Sequence, residues 1–287
     1  MGAVTLRLAT RRSRLAMAQT SLVARRLVAA LAIEVELVPI TSAGDHDQTT
    51  GIAHLTETGA FVRALQLAVL SGRADAAVHS AKDLPVASPP GLVIAAYPER
   101  ASPADVLVGA TLRSLPRGAT VGTGSPRRRS QLLLLRGDLE TVELRGNIDT
   151  RLRRIGDTVD GAVLAEAGLL RLDRGDIVAQ RFDIEEMVPA PGQGALAVET
   201  RAGGETERLV RLIDDPAVRV EVEAERALLE ATGAGCRSAL GALARSSPGH
   251  GLRIVGFVSD DRGPRRAVVD ADDAAAGVRS LLRELAV

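Results

Sequence analysis

The chain has 287 residues, 46% hydrophobic and 25% charged, with 36 basic and 36 acidic side chains and a formal net charge of zero. This is an ordinary soluble mix, too long for one comfortable core, so two or three domains are expected. Zero net charge argues against a general nucleic-acid or membrane-surface binder, a single cysteine excludes an internal disulfide, and no apolar run approaches the ~20 residues of a spanning helix.

In chain order, "VTLRLA" (4–9) alternates and predicts a strand. Ser13 then caps a helix with Leu15, Ala18, Leu22 and Leu27 on one stripe. "EVELVPI" (34–40) predicts a second strand. Residues 41–60 are polar and rich in Gly and Thr, a long loop of the kind that is usually functional or mobile. A helix is expected from Phe61 to Leu70, stopped at Gly72. "ADAAVHSAKDLP" (74–85) is a strand running into a polar turn, and "GLVIAAY" (91–97) is another strand. The pattern then restarts: strand "ATVG" (119–122), a helix opened by Ser125 and Pro126, strand "TVELR" (141–145), a turn into a short helix, and "GAVLAEAG" (161–168) as strand and turn. "VPAPGQGALAVE" (188–199) is a Pro/Gly hinge returning to a strand. A helix from about 216 leads to the cysteine loop. Strands at 252–259 and 265–271 and a helix from about 272 close a small α+β unit. Alternating strands and helices indicate α/β layers. The opening "MGAVTLRLATRRSR" has no apolar h-region, so no secretory signal is expected, and a lone cysteine that cannot form an internal disulfide fits a reducing, cytoplasmic setting.

The basic residues are 35 Arg and one Lys, Lys82; Asn147 is the only asparagine and Cys236 the only cysteine. GC-rich coding explains Arg replacing Lys wherever either serves. A site that needs a compact ammonium cannot take Arg, so the survivors are informative. Cys236 lies in "ATGAGCRSAL", between glycines and beside Arg237. These describe a reachable thiol with thiolate character rather than a packed core cysteine.

Four polar clusters each follow a strand and open a helix or turn: "ATRRS" (9–13), "HSAKD" (79–83), "GTGSPRRR" (122–129) and "RGNIDTR" (145–151). Ligands of open α/β sheets bind at such strand ends, and Arg forks pair with carboxylate or phosphate. Taken alone, the run 127–129 reads more readily as a solvated helix face. Repetition of the placement favours a cleft for a ligand with many negative groups. Asp83 beside Lys82 could stabilise a developing cation or orient an N–H donor; the alternative is a surface turn with an incidental ion pair. His79 reads as a packed strand-end residue. His46 and His54 fit no standard metal spacing, so no metal is expected.

Together these segments resemble the porphobilinogen deaminase family over nearly the whole chain. The matching stretches are "LRLATRRSRLA", Gly44–Asp45, "GAFVRALQLAVL", "ADAAVHSAKDLPV", "VGTGSPRRRSQL", "LRGNIDTRL", "LAEAGLLRL", "PAPGQGALAVE", "AERALL" and "GAGCRSALG". The resemblance implies two periplasmic-binding-protein-like α/β domains and a small C-terminal α+β domain. Their expected bounds are 1–98 with 195–213, 99–194, and 216–287. It implies an ammonia-releasing transferase of heme biosynthesis. Four porphobilinogen molecules are joined head to tail into hydroxymethylbilane on a dipyrromethane cofactor, held by a thioether to Cys236. Asp83 and Lys82 are then the expected catalytic residues. The cofactor is expected on Cys236, Arg127, Arg128, Ser125, Lys82, Asp83, Arg145 and Ser80. Substrate is expected on Arg11, Ser13, Arg145, Arg151, Arg171 and Phe61. The resemblance also implies a monomer with porphobilinogen as its small-molecule partner.

The chain departs from many relatives at Ala43, Thr58, His54 and Ala239, where Arg, Lys, Lys and Pro are frequent. A non-catalytic two-lobed clamp for a small anion would share the α/β fold. A third domain with a reactive cysteine counts against it. A nucleic-acid binder fails on charge and on the scarcity of aromatics for stacking.

Overall fold

A computed structural model of the chain describes residues 5–41, 54–233, 239–247 and 251–287. Cys236, the Gly44–Asp45 pair and most of the 41–60 loop lie outside the described residues. The chain divides into two compact units, Met1–Arg100 with Ala195–Arg219, and Ala101–Gly194 with Val220–Val287.

The first unit holds strands β1 (Thr5–Arg11), β2 (Glu34–Ile40), β3 (Ala76–Ser80) and β4 (Leu92–Ala96), with helices α1 (Arg14–Leu31) and α2 (His54–Leu70). The second begins with strands β5 (Asp105–Val108), β6 (Thr120–Gly122), β7 (Glu140–Val142), β8 (Gly161–Ala165) and β9 (Val178–Arg181). Helices α3 (Pro126–Leu135), α4 (Ile148–Leu152) and α5 (Glu166–Leu170) lie between them. The chain returns to the first unit through β10 (Leu196–Arg201) and α6 (Glu205–Arg211), and α7 (Pro216–Ala231) leads out again. Strands β11 (Ala239–Ser247), β12 (Gly251–Asp260), β13 (Gly263–Ala271) and helix α8 (Ala274–Leu285) complete the second unit.

The first sheet has the order β2-β1-β3-β10-β4, and the second β7-β6-β8-β5-β9. In each, the first three strands are parallel and the fourth position is filled by an antiparallel strand from a distant part of the chain. The two sheets therefore share one plan, an α/β architecture used twice. The third sheet is the antiparallel meander β11-β12-β13, covered by α8.

Alternation decides which residues meet which helix. On β3, Ala76 and Val78 face α1 with Leu6, Leu8, Val23 and Leu27. Ala77 faces α2 with Ala9, Leu65, Ala68 and Val69. Both faces are covered, so these strands read as nearly continuous apolar runs. The buried stripe of α1 is Gln19, Thr20, Val23, Ala24 and Leu27, not the expected one; only Leu27 is common to both. Helix α2 begins at His54, seven residues before the expected start, and 161–168 is a strand followed by a helix rather than a turn.

The meander rests on the second sheet's own loop. Ala242 donates its N–H to the Pro189 carbonyl at 2.9 Å. A Cβ on Gly241 would sit 2.7 Å from the Val188 carbonyl oxygen, so only glycine permits this approach. Glu225 of α7 is fully buried, and its carboxylate accepts the Gly192 N–H at 2.6 Å and the Ala244 N–H at 2.8 Å. One side chain thus satisfies backbone donors of both the 188–194 loop and β11. Glu225→Ala leaves both donors buried without it, and should lower stability by about 2–4 kcal/mol. Urea unfolding measures this as a lower midpoint.

Candidate active site

In the first unit, five of the expected residues line one pocket of about 80 Å³: Arg11, Ser13, Phe61, Ser80 and Asp83. Gln19 and His79 share its wall. Local structure places each of them. Arg11 ends β1, and Ser13 caps α1 by accepting the Ala16 N–H at 3.3 Å. The Arg11 guanidinium lies 3.7 Å from the centre of the Phe61 ring, a cation–π contact that holds its plane. Gln19 donates to the Ser80 hydroxyl at 2.9 Å, which leaves the hydroxyl proton free to be donated. Lys82 and Asp83 sit in a single 3-10 turn, Ala81–Asp83, at the end of β3, and both are half-buried. A carboxylate, a guanidinium and two hydroxyls therefore converge where a parallel strand stops.

The second unit gathers a separate group. Ser125 caps α3, accepting the Arg128 N–H at 3.4 Å, and Pro126 fills the first helical position. Arg127 and Arg128 are not a solvated face; they are 3% and 6% exposed, while Arg129 is exposed. Both close on Asp105, which is fully buried. Arg127 Nη1 lies 2.8 Å from Oδ2, and Arg128 donates to Oδ1 through Nε at 3.0 Å and Nη2 at 2.8 Å. Gln193 Nε2 donates to the same oxygen at 2.9 Å. Burial pushes the Asp105 pKa up, but the Arg127 and Arg128 guanidiniums override it and hold the carboxyl well below its usual range. Burial also lowers the Arg127 pKa, with Asp105 restoring part of it and Arg128 opposing.

The remaining candidates stand at strand and helix ends of the same unit. Arg145 is exposed and paired with Glu143 at 2.8 Å. Asn147, singled out by its rarity, caps α4 by accepting the Thr150 N–H at 2.9 Å, and Arg151 Nε donates to the Gly146 carbonyl at 2.8 Å. Arg171 follows α5 and donates to the Gly194 carbonyl at 2.7 Å. Gly194 itself has φ +88, and a Cβ there would meet the Ala101 carbonyl oxygen at 2.3 Å. Sequence reasoning missed Asp105, Gln193 and Glu199. The signal for Asp105 was an acid opening the apolar run "DVLV", where no solvated carboxylate belongs.

These residues could hold an acidic cofactor. Two buried guanidiniums share one carboxylate, so the Asp105 cluster retains a surplus positive charge. One acid side group of a bound pyrrole would neutralise it.

A family model described as porphobilinogen deaminase, dipyrromethane cofactor binding domain, matches residues 6–208. A porphobilinogen deaminase from Acidothermus cellulolyticus is 51% identical over 247 residues, covering 83% of this chain and 74% of that one. One from Thermobifida fusca is 45% identical over 289 residues, covering 98% and 86%. One from Thermus thermophilus is 44% identical over 271 residues, covering 92% and 88%. Among solved structures, a periplasmic substrate-binding protein of an ABC transporter from Coxiella burnetii overlaps 75% of this chain and 94% of its own, at 15% identity and a TM-score of 0.45.

Asp105 and Asp83 should separate cleanly by stability. Asp105→Asn strands two buried cations and is expected to cost about 3–5 kcal/mol. Asp83→Asn, on a half-exposed turn, should change stability by less than about 1 kcal/mol. Because the folded Asp105 titrates below its unfolded value, its contribution is fully present above about pH 4 and is lost as acid protonates it. Thermal unfolding of both variants at neutral pH checks the contrast.

Proposed function

Because the chain belongs to the porphobilinogen deaminase family, we propose that it deaminates porphobilinogen and joins four molecules head to tail into hydroxymethylbilane, in tetrapyrrole biosynthesis. The observation that carries this reading is the match of residues 6–208 to the cofactor-binding domain of that family. The placement of Asp83, Arg11, Ser13 and Ser80 around one pocket supports it. The proposal takes the enzyme as a cytoplasmic monomer of three domains, 1–98 with 195–213, 99–194, and 216–287.

The dipyrromethane cofactor, when bound, supplies the primer to which each new ring is joined. Cys236 is proposed to hold it by a thioether, with Ser80, Lys82, Asp83, Ser125, Arg127, Arg128 and Arg145 around it. Arg11, Ser13, Phe61, Arg145, Arg151 and Arg171 are proposed to take substrate. Each porphobilinogen carries an acetate and a propionate, so cations and hydroxyls must meet a growing number of carboxylates. Departure of ammonia leaves positive charge on the pyrrole. A fixed carboxylate at Asp83 stabilises that charge more in the transition state than in the ground state. Lys82 beside it provides a compact ammonium for an acid side group.

Asp83→Asn should keep fold and cofactor and lose turnover by at least about 100-fold, the size expected for removing one preorganised electrostatic group. A steady-state assay with porphobilinogen measures this, and near-normal turnover in the folded variant contradicts the assignment. The purified chain should exceed its sequence mass by two linked pyrrole units, mapped to the peptide holding Cys236. Cys236→Ala should remove the added mass and the activity together.

A further inference from the structure

The arginines assigned above to acid groups are held in different ways. Arg11 rests on an aromatic ring, and Arg127 and Arg128 close on a carboxylate that is fully buried. Arg145 is paired instead with a carboxylate that water reaches: its Nη2 lies 2.8 Å from Glu143 Oε2, and the two side chains are 45% and 59% exposed. Local structure makes this pair. Strand β7 forms one edge of the second sheet, and Thr123 donates its N–H to the carbonyl of Val142, the last residue of that strand, at 2.9 Å. Leu144 then turns inward; a Cβ on Gly122 would lie 2.8 Å from its Cδ2. With Leu144 facing in, its neighbours Glu143 and Arg145 both face out and meet. Gly146, with φ +97, sends the chain on to Asn147, the cap of α4.

The pair stands beside the turn that opens α3. A Cβ on Gly124 would lie 3.2 Å from the Leu144 carbonyl oxygen, so the segment carrying Glu143 and Arg145 passes directly against the residue before Ser125. Ser125 and Arg145 are both assigned to the cofactor, and Arg145 to substrate as well. A carboxylate already on Arg145 lowers the pull of that guanidinium on any second one. An exposed ion pair of this kind shifts an equilibrium by only about 1.5- to 5-fold. An incoming acid group can therefore displace Glu143. Asp105, bound by Arg127, Arg128 and Gln193 in the interior, stays where it is.

We propose that Glu143 tempers the affinity of this enzyme for its ligands: it occupies Arg145 between turnovers, gives way to an acid group of the bound pyrrole, and takes the guanidinium back as product leaves. This rests on the porphobilinogen reading and adds to it a residue that binds no ligand itself. Each ring added brings an acetate and a propionate, so attraction at the arginines accumulates with chain length. Attraction equally strong for substrate and product lowers KM without speeding the chemistry, and it holds the finished chain back. A carboxylate tethered two residues from the arginine competes at a high effective concentration. It weakens every acid group that reaches Arg145 by the same small factor.

The test is Glu143→Gln, which keeps the size of the side chain and removes its charge, in the adduct-bearing protein. Porphobilinogen is titrated by calorimetry in an Asp83→Asn background, where binding is read without turnover. Adding Glu143→Gln should lower Kd about three-fold, within the range of an exposed ion pair. KM of the enzyme with Asp83 intact should fall by a similar factor. With Arg145→Gln also present, Glu143→Gln should leave Kd unaltered, because competitor and cation act as one pair. A Kd that is unchanged or higher in the folded Glu143→Gln protein overturns the proposal, since the pair then only holds Arg145 in place. An equal fall in Kd with and without Arg145 overturns it too, as a general relief of negative charge. If the enzyme binds porphobilinogen and releases ammonia while Kd ignores Glu143, this proposal alone fails. If it neither binds nor consumes porphobilinogen, the proposed function fails and this proposal with it.

Discussion

Two guanidiniums closing on one buried carboxylate is the interaction on which the second unit depends. Asp105 opens β5, Arg127 and Arg128 open α3, and Gln193 comes from the loop before β10. A sheet, a helix and the returning chain therefore meet at one carboxyl group. Arg127 also donates to the Val188 carbonyl at 2.5 Å, and Gln131 binds the same residue's N–H and C=O. Val188 and Pro189 in turn support β11. The ionic cluster and the C-terminal meander are thus parts of one connected structure. Removing charge at its centre loosens the loop on which β11 rests.

The first unit solves the same electrostatic problem differently. Its sheet is covered on both faces, so polar side chains survive only where strands end or where a partner waits inside. Arg11 is steadied by an aromatic ring, Ser80 by Gln19, and Glu199 by His79. Each of these partners sits on an element different from the residue it holds. The pocket geometry therefore follows from sheet register and helix docking rather than from one loop. Such a site on rigid elements suits a ligand whose acid groups must be held while one ring reacts.

Much of this was legible in the sequence, for identifiable reasons. Strand β2 was placed to the residue because its alternation is clean and it is bounded by turn chemistry. The caps Ser13 and Ser125 were legible because an N-cap side chain bonds locally and needs no tertiary context. Strand β5 was not read, because four buried residues after a proline-containing turn show no period. Strand β11 was missed because "ALGALARSS" is small and non-alternating, its glycine being required by contact with Val188. The early start of α2 was hidden by threonines and a glycine that read as loop. Asn147 drew attention through rarity, and its visible work is to cap α4. The clustering of Arg127 and Arg128 on Asp105 depends on a contact across more than twenty residues, which no local pattern encodes. Membership of the family was carried instead by the number and order of short matching segments.

The central claim is that carboxylates held at strand ends serve condensation with loss of ammonia, rather than passive capture of an anion. Quantifying ammonia against porphobilinogen consumed by the purified chain tests it most directly. The account predicts one ammonia for each porphobilinogen consumed, with four released for each linear tetrapyrrole formed. Binding of porphobilinogen without ammonia release by the adduct-bearing protein would contradict it.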